Sequence, residues 1–332
     1  MSSSTSPLPY GRHTTGSQVA SDNASNIAGK IVLTTGVSPS GTGALFVETI
    51  AKYNPAFLIL AGRSAAKVEA TAAKIQSINP AVKTRVLILD LTSQSSVRRA
   101  AADVNSWTDV PHIDVLCNNA GIMAGPYRKT AEGIELQFGV NHIAHFLFTN
   151  LLISKILAAP KPRIVNISSD GHRLSGIRFD DHSFSDGKTY NQWIGYSQSK
   201  SANILFTKSL AEKLGSKGLW TFSVHPGVLM STSLVGDLNE DDFKDLKQLD
   251  KAVGDPLGEE DVEFDVKTED EMISTHVAAA FDPRLEAAEW NGVYLDDTNV
   301  AEEKLRPTVK GEGDGQRLWE LSEKLVGEQF KY

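Results

Sequence analysis

Short apolar runs, rich in β-branched residues, alternate along the chain with longer segments whose apolar positions recur at helical spacing. The runs predict strands over residues 31–35, 57–61, 84–89, 113–117, 163–168, 219–224 and 292–295. Between the early ones the pattern predicts helices over 41–53, 65–78 and 93–106. One long helix is predicted over 130–159, too dense in Phe, Leu and Ile to face solvent, and others over 190–214 and 313–328. Strands that are apolar on both faces, separated by helices, imply a parallel sheet covered on both sides.

Right-handed crossovers turn such a series into a Rossmann-type doubly wound α/β fold, a mainly seven-stranded parallel sheet in a single domain. The 332 residues, 41% hydrophobic, suffice for its core. Residues 1–28 are rich in Ser and Thr and read as a flexible or surface-draped tail, leaving 29–332 as the domain. That tail lacks the apolar centre of a secretory signal and the arginines of a transit peptide. No apolar run reaches the ~18 residues of a membrane span. A single cysteine, Cys117, requires no oxidising compartment, so the expected location is the cytoplasm.

Charge changes the picture in one place. The net charge of −8 argues against a nucleic-acid partner, which needs clustered basic surface. Residues 237–271 hold fifteen acids and four bases, a local net of −11, and read as a solvated surface.

The candidate chemistry begins after the first strand, with Thr35-Gly36-Val37-Ser38-Pro39-Ser40-Gly41-Thr42-Gly43. Glycines there let the backbone approach a pyrophosphate, and the following helix N-terminus offers free N–H groups and a favourable dipole. At the end of the second strand, where an acid would bind a ribose 2′-hydroxyl, the chain has Arg63 and Ser64. Arg63 suits a 2′-phosphate, so NADP(H) is favoured over NAD(H). Ser64 either adds a donor or caps the next helix.

These motifs continue in order: Asp90-Leu91, Asn118-Asn119-Ala120-Gly121, Asn141, Asn166-Ile167-Ser168-Ser169, Tyr196-Ser197-Gln198-Ser199-Lys200 and His225-Pro226-Gly227. The series resembles the classical short-chain dehydrogenase/reductase family over about residues 28–300. Ser169-Asp170-Gly171-His172, the 27-residue step from Ser169 to Tyr196, and Lys267-Thr268 at the start of a late helix are similar to the retinol-dehydrogenase and WW-domain-oxidoreductase-like group. Residues 12–15 and 36–39 resemble fungal members, many of which serve secondary metabolism. One departure is the loop, where four residues separate Gly36 from Gly41 and Ser40 stands where related sequences often have glycine.

The resemblance implies hydride transfer between a nicotinamide and a carbonyl or carbinol carbon. Tyr196 is the implied acid/base, and Lys200, one helical turn on, lowers its pKa and holds the nicotinamide ribose. Ser169 donates to the substrate oxygen, and the Asn141 backbone holds a water in the proton relay. The implied cofactor contacts are Gly36, Ser38, Ser40, Gly41, Thr42, Gly43, Arg63, Ser64, Asp90, Leu91, Asn118, Ala120, Gly121, Tyr196, Lys200, Pro226, Gly227, Val228 and Thr232. Asn118 and Asn119 could instead be purely structural. Trp193 reads either as a pocket wall or as core packing.

Residues 228–270 take the place of the family's substrate lid. Met230, Leu234, Leu238, Phe243, Leu246 and Leu249 could form one apolar face there, which favours an apolar carbonyl or alcohol substrate. A homodimer through the helices of Asn141 and Tyr196 is the family habit. No metal is expected: His142, His145 and His172 lack a supporting carboxylate at useful spacing. The competing functions are an epimerase or dehydratase that shares the Tyr–Lys pair, and a protein that binds NADP(H) without turnover. The glycine spacing and the short region after Gly227 count against the first. The complete Ser169, Tyr196, Lys200 and Asn141 set counts against the second.

Overall fold

The structure, a computed structural model, describes residues 6–229, 234, 238–253 and 266–332. Its sheet runs β3-β2-β1-β4-β5-β6-β7-β8. The strands are β1 (Ile31–Thr35), β2 (Phe57–Gly62), β3 (Lys83–Ile88), β4 (Val115–Asn118), β5 (Arg163–Ile167), β6 (Trp220–Val224), β7 (Tyr294–Asp296) and β8 (Asn299–Val300). The first seven are parallel, and β8 folds back antiparallel on β7. The central strands β1, β2, β4 and β5 are buried throughout, which is why they read as unbroken apolar runs. β3 is an edge strand. Its Arg85 pairs with Asp109 at 2.7 Å and lies over the Trp107 ring.

Two apolar clusters, one on each face of the sheet, form the core. Buried amides tie sheet to helices. Asn118 donates to Asn166 Oδ1 and to Thr149 Oγ1, both at 2.9 Å. Asn166 in turn donates to Thr207 Oγ1.

Two expectations need correction. The tail is neither flexible nor merely draped once it becomes described at Ser6. Thr15 caps a helix at Gly16–Asp22, and Leu8, Val19 and Ile27 are buried in the core. Arg284 lies over the Tyr10 ring and donates to its hydroxyl at 2.9 Å. The long 130–159 helix is in fact a turn, a short helix at Leu136–Phe138, a π-helical turn at Gly139–Ile143, and an α-helix at Ala144–Leu157. The buried Glu135 carboxylate stops it from starting earlier, because it accepts from the Gln137 and Phe138 N–H groups. One face of the helices that carry Asn141 and Tyr196 is covered from within the chain. The Asp314–Val326 helix packs there, with Trp319 edge-on to Phe146 at 5.0 Å.

Within the acidic segment, Glu240–Ala252 is a helix with a capping box between Asn239 and Asp242. Among the described residues no helix is long and apolar enough to cross a membrane.

Candidate active site

A cleft of about 2690 Å³ opens at the carboxyl ends of the strands. The chain order reverses there, with β2 and β3 to one side of β1 and β4 onward to the other, which is the usual binding place in an open α/β sheet. Gly36, Ser38, Gly41 and Thr42 line it, with Gly41 capping the Thr42–Ala51 helix. Gly36 has φ +76°, and a Cβ on it would lie 2.7 Å from the Ala120 Cα. Ser40 adopts φ 62°, the left-handed conformation that explains glycine at this point in related loops. Neither Ser40 nor Gly43 lines the cleft. Gly43 is a packing glycine, since a Cβ there would lie 2.5 Å from Asn119 Nδ2.

Arg63, Ser64, Asp90 and Leu91 line the far end. One Asp90 oxygen is already engaged by Thr92, through its N–H at 2.9 Å and its hydroxyl at 2.8 Å. Lys67, in the first turn of the helix that follows Arg63, lines the same end. Sequence reasoning passed over it, although its closeness in sequence to Arg63 was the available signal. Ala120, Gly121, Pro226, Gly227 and Val228 also line the cleft, whereas Asn118 does not. Asn118 is buried beneath the cleft in the amide chain described above, the structural alternative for that residue. Thr232 and Met230 lie outside the described residues.

The reactive end is built from the end of β5 and the Gln192–Leu214 helix, which Asn191 caps by accepting from Trp193 and Ile194 N–H. The two serines after β5 separate in role. Ser168 donates to the Lys200 carbonyl at 2.9 Å and is structural. The Ser169 hydroxyl accepts from the Gly171 N–H at 3.1 Å and is hydrogen-bonded to the Tyr196 phenol.

Burial pushes Tyr196 up to about 12, and the Ser169 bond works the other way. The lowering expected from Lys200 is not among the influences on Tyr196, which are loss of solvent and the Ser169 bond. Lys200 is itself buried and pushed down to about 8. Its Nζ donates to the Ile167 carbonyl at 3.0 Å and lies 5.5 Å from the centre of the Tyr196 ring.

Asn141 stands behind the cleft wall in the π-helical turn. Its side chain grips the Ile122 backbone, accepting from N–H at 2.8 Å and donating to C=O at 2.9 Å. Gly171 is a position the sequence pointed to without a role. A Cβ there would lie 2.9 Å from the Tyr196 ring. Gly171→Ala should therefore displace the phenol and lower kcat roughly 10- to 100-fold. Affinity for a nicotinamide cofactor, read by fluorescence titration, should stay within about twofold, because the far end of the cleft is untouched.

The Glu240–Ala252 helix is fastened to the site. Trp193 Nε1 donates to the Asp242 carbonyl at 3.1 Å, and Arg173 pairs with Asp250 at 2.8 Å. Trp193 is both a pocket wall and a packed core residue. Leu234, Leu238, Phe243 and Leu246 line the cleft, and so do Lys247, Asp250 and Lys251, so this wall is mixed in character. Leu249 is not in the lining. Lys267, which sequence reasoning took only as a helix start, is buried and pairs with Asp297 at 2.7 Å. Its stem lies against Gly227, at φ +97°, where a Cβ would meet it at 2.5 Å. His142, His145 and His172 are buried and bonded to protein partners.

The family model for short chain dehydrogenase matches residues 30–242. Retinol dehydrogenase 11 of Mus musculus is 41% identical over 205 residues, which span 62% of this chain and 63% of that protein. The chain thus covers less than two thirds of that relative's length. Retinol dehydrogenase 13 of Homo sapiens is 33% identical over 93% of this chain and 88% of its own. Among solved structures, an uncharacterised protein from Mycobacterium paratuberculosis superposes with a TM-score of 0.68 at 29% identity, covering 93% of this chain and 99% of that one. An NADPH-bound carbonyl reductase from chicken fatty liver, at 21% identity and a TM-score of 0.58, covers 82% and 99% and bears on the fold alone. With this sheet order, this cleft and a matched region that takes in every motif from Gly36 to Gly227, the chain belongs to the short-chain dehydrogenase family of oxidoreductases.

Proposed function

We propose that the protein interconverts a ketone or aldehyde and the corresponding alcohol with NADP(H), and that Tyr196 is its acid/base. One observation carries the reading. Ser169, Tyr196 and Lys200 meet at one end of the cleft whose other end presents Arg63 and Lys67. Both of these cations are exposed, and neither is paired with an acid among the described residues. The cleft fits the cofactor: a helix N-terminus at Thr42 for the pyrophosphate, Arg63 and Lys67 for a 2′-phosphate, and Lys200 donors beyond the single bond to Ile167 for the ribose.

When bound, the nicotinamide supplies or takes up the hydride. The protein handles the proton. Tyr196, with its proton held firmly by burial, is in the form that protonates a substrate oxygen. Ser169 donates to the same oxygen, and the Lys200 charge favours the phenolate that results. Asn141 keeps the Ile122 segment in place beside them. Trp193, Phe243 and Leu246 favour a largely apolar substrate. The names of the mammalian relatives make retinal and retinol the first pair to try. The likeness of 36–39 to fungal members points to carbonyl compounds of secondary metabolism as the second set.

The test is NADPH oxidation with retinal, quinones and polyketide-like ketones, and NADP⁺ reduction with the alcohols. Absence of NADPH binding by the folded protein would overturn the reading. The pH dependence adds a check. Lys200 loses its proton as pH rises through about 8, so kcat/KM for NADPH, which reports the free enzyme, should fall above that pH.

A further inference from the structure

We infer that His145 is a positioning residue, held neutral with its proton on Nδ1, that closes a ring of hydrogen bonds around the wall of the cofactor cleft. The inference rests in part on the function just proposed. His145 is buried on the Ala144–Leu157 helix and lines no part of the cleft.

The bonding pattern fixes its state. Thr35 Oγ1, at the end of β1, receives the N–H groups of Asn119 and Ala120, each at 3.0 Å. A hydroxyl has two lone pairs and one proton, so those two donors leave Thr35 only its proton to offer. The remaining contact of that oxygen is His145 Nε2, at 2.9 Å. Nε2 must accept, and the ring proton therefore sits on Nδ1. Nδ1 lies 3.1 Å from the Asn141 carbonyl oxygen, which can only accept.

The ring then closes. Thr35 anchors the start of the 119–122 segment, and the Asn141 side chain grips its end at Ile122. His145 joins Thr35 to the backbone of Asn141. Asn119 through Ile122 wall the cleft between the phosphate loop and Lys200. The charged group facing His145 is Lys200, and a second cation there would oppose it. Loss of solvent disfavours the charged imidazole as well.

Two measurements test the assignment. The first is independent of function: long-range ¹H–¹⁵N correlation of labelled histidine in the cofactor-free protein, with His145→Asn to assign the signal. A protonated Nδ1 and a bare Nε2, unchanged between pH 6 and pH 8, are expected. A protonated Nε2, or an imidazolium in that range, overturns the inference.

The second compares His145→Asn, which can retain the donor to Asn141, with His145→Phe, which loses both bonds. His145→Phe should lower kcat about tenfold and weaken NADPH binding several-fold, with KM for the carbonyl substrate unchanged. His145→Asn should recover kcat to within about threefold of the parent. Equal losses in both variants, or a lowered melting temperature with kcat and NADPH affinity intact, overturn the inference. If the parent protein neither binds nor turns over NADPH, the proposed function fails, while the tautomer result still stands or falls by itself.

Discussion

Tyr196→Phe is expected to reduce turnover roughly 10²- to 10⁴-fold, the range associated with loss of a positioned acid/base. The phenyl ring keeps the shape of a residue only 5% exposed, so the helix around it should not repack. NADPH affinity should stay within about twofold, because Arg63, Thr42 and Lys200 are unchanged. What is lost is the phenol hydrogen-bonded to Ser169, the proposed donor of a proton to the substrate oxygen. Steady-state kcat together with a fluorescence titration of NADPH checks both halves. Retention of parental turnover would remove Tyr196 from the chemistry, and a parallel loss of NADPH binding would make its role one of cofactor binding.

The second large effect is expected from Arg63→Asp. Arg63 is exposed just after β2, with no carboxylate paired to it among the described residues. A hydrogen bond to a charged group contributes about 1.5–3 kcal/mol, and an aspartate would add repulsion of the 2′-phosphate. The ratio of kcat/KM for NADPH over NADH should therefore fall on the order of 100-fold, each 1.4 kcal/mol being a factor of ten. NADH utilisation should rise or hold, since an acid there can bind the ribose 2′-hydroxyl. Lys67 should cushion the change, and Lys67→Ala added to Arg63→Asp should deepen it. An unaltered ratio in the single variant would remove the basis for preferring NADP(H).

The elements nearest the sheet centre were the most legible. Ile31–Thr35 falls where the pattern puts it because burial on both faces leaves apolar residues little alternative, and Ala65–Ile78 because Val68, Thr71 and Ile75 bury one stripe of an otherwise exposed helix. The motif residues that converge were legible because Ser169 follows the end of β5 and Tyr196 and Lys200 stand four residues apart on the long helix after it. The segment from 130 to 143 was not. Its density of apolar residues is a signal of burial rather than of helix type, and the buried Glu135 that shapes its start looks in sequence like any surface acid. The tail misled for a related reason. Leu8, Val19 and Ile27 are too far apart to give a periodic pattern, yet they enter one core cluster once Gly16 lets the helix come close to Ile273. The electrostatics were least legible. Spacing puts Lys200 beside Tyr196, but only depth shows that burial raises the one and lowers the other.

The π-helical turn at Gly139–Ile143 has a meaning beyond the loop it braces. Such a turn is what an α-helix becomes when it accommodates one residue too many. Each residue of an ordinary helix advances the direction of the side chain by about 100°. The extra residue therefore rotates what precedes it relative to the Ala144–Leu157 segment by about that angle, without lengthening the path through the core. Asn141 can face Ile122 while Phe146 and Phe148, on the same rod, stay inside the apolar cluster. In evolutionary terms the turn is a phase shifter: the packing face and the functional face of one helix answer to different registers, and each can drift without dragging the other.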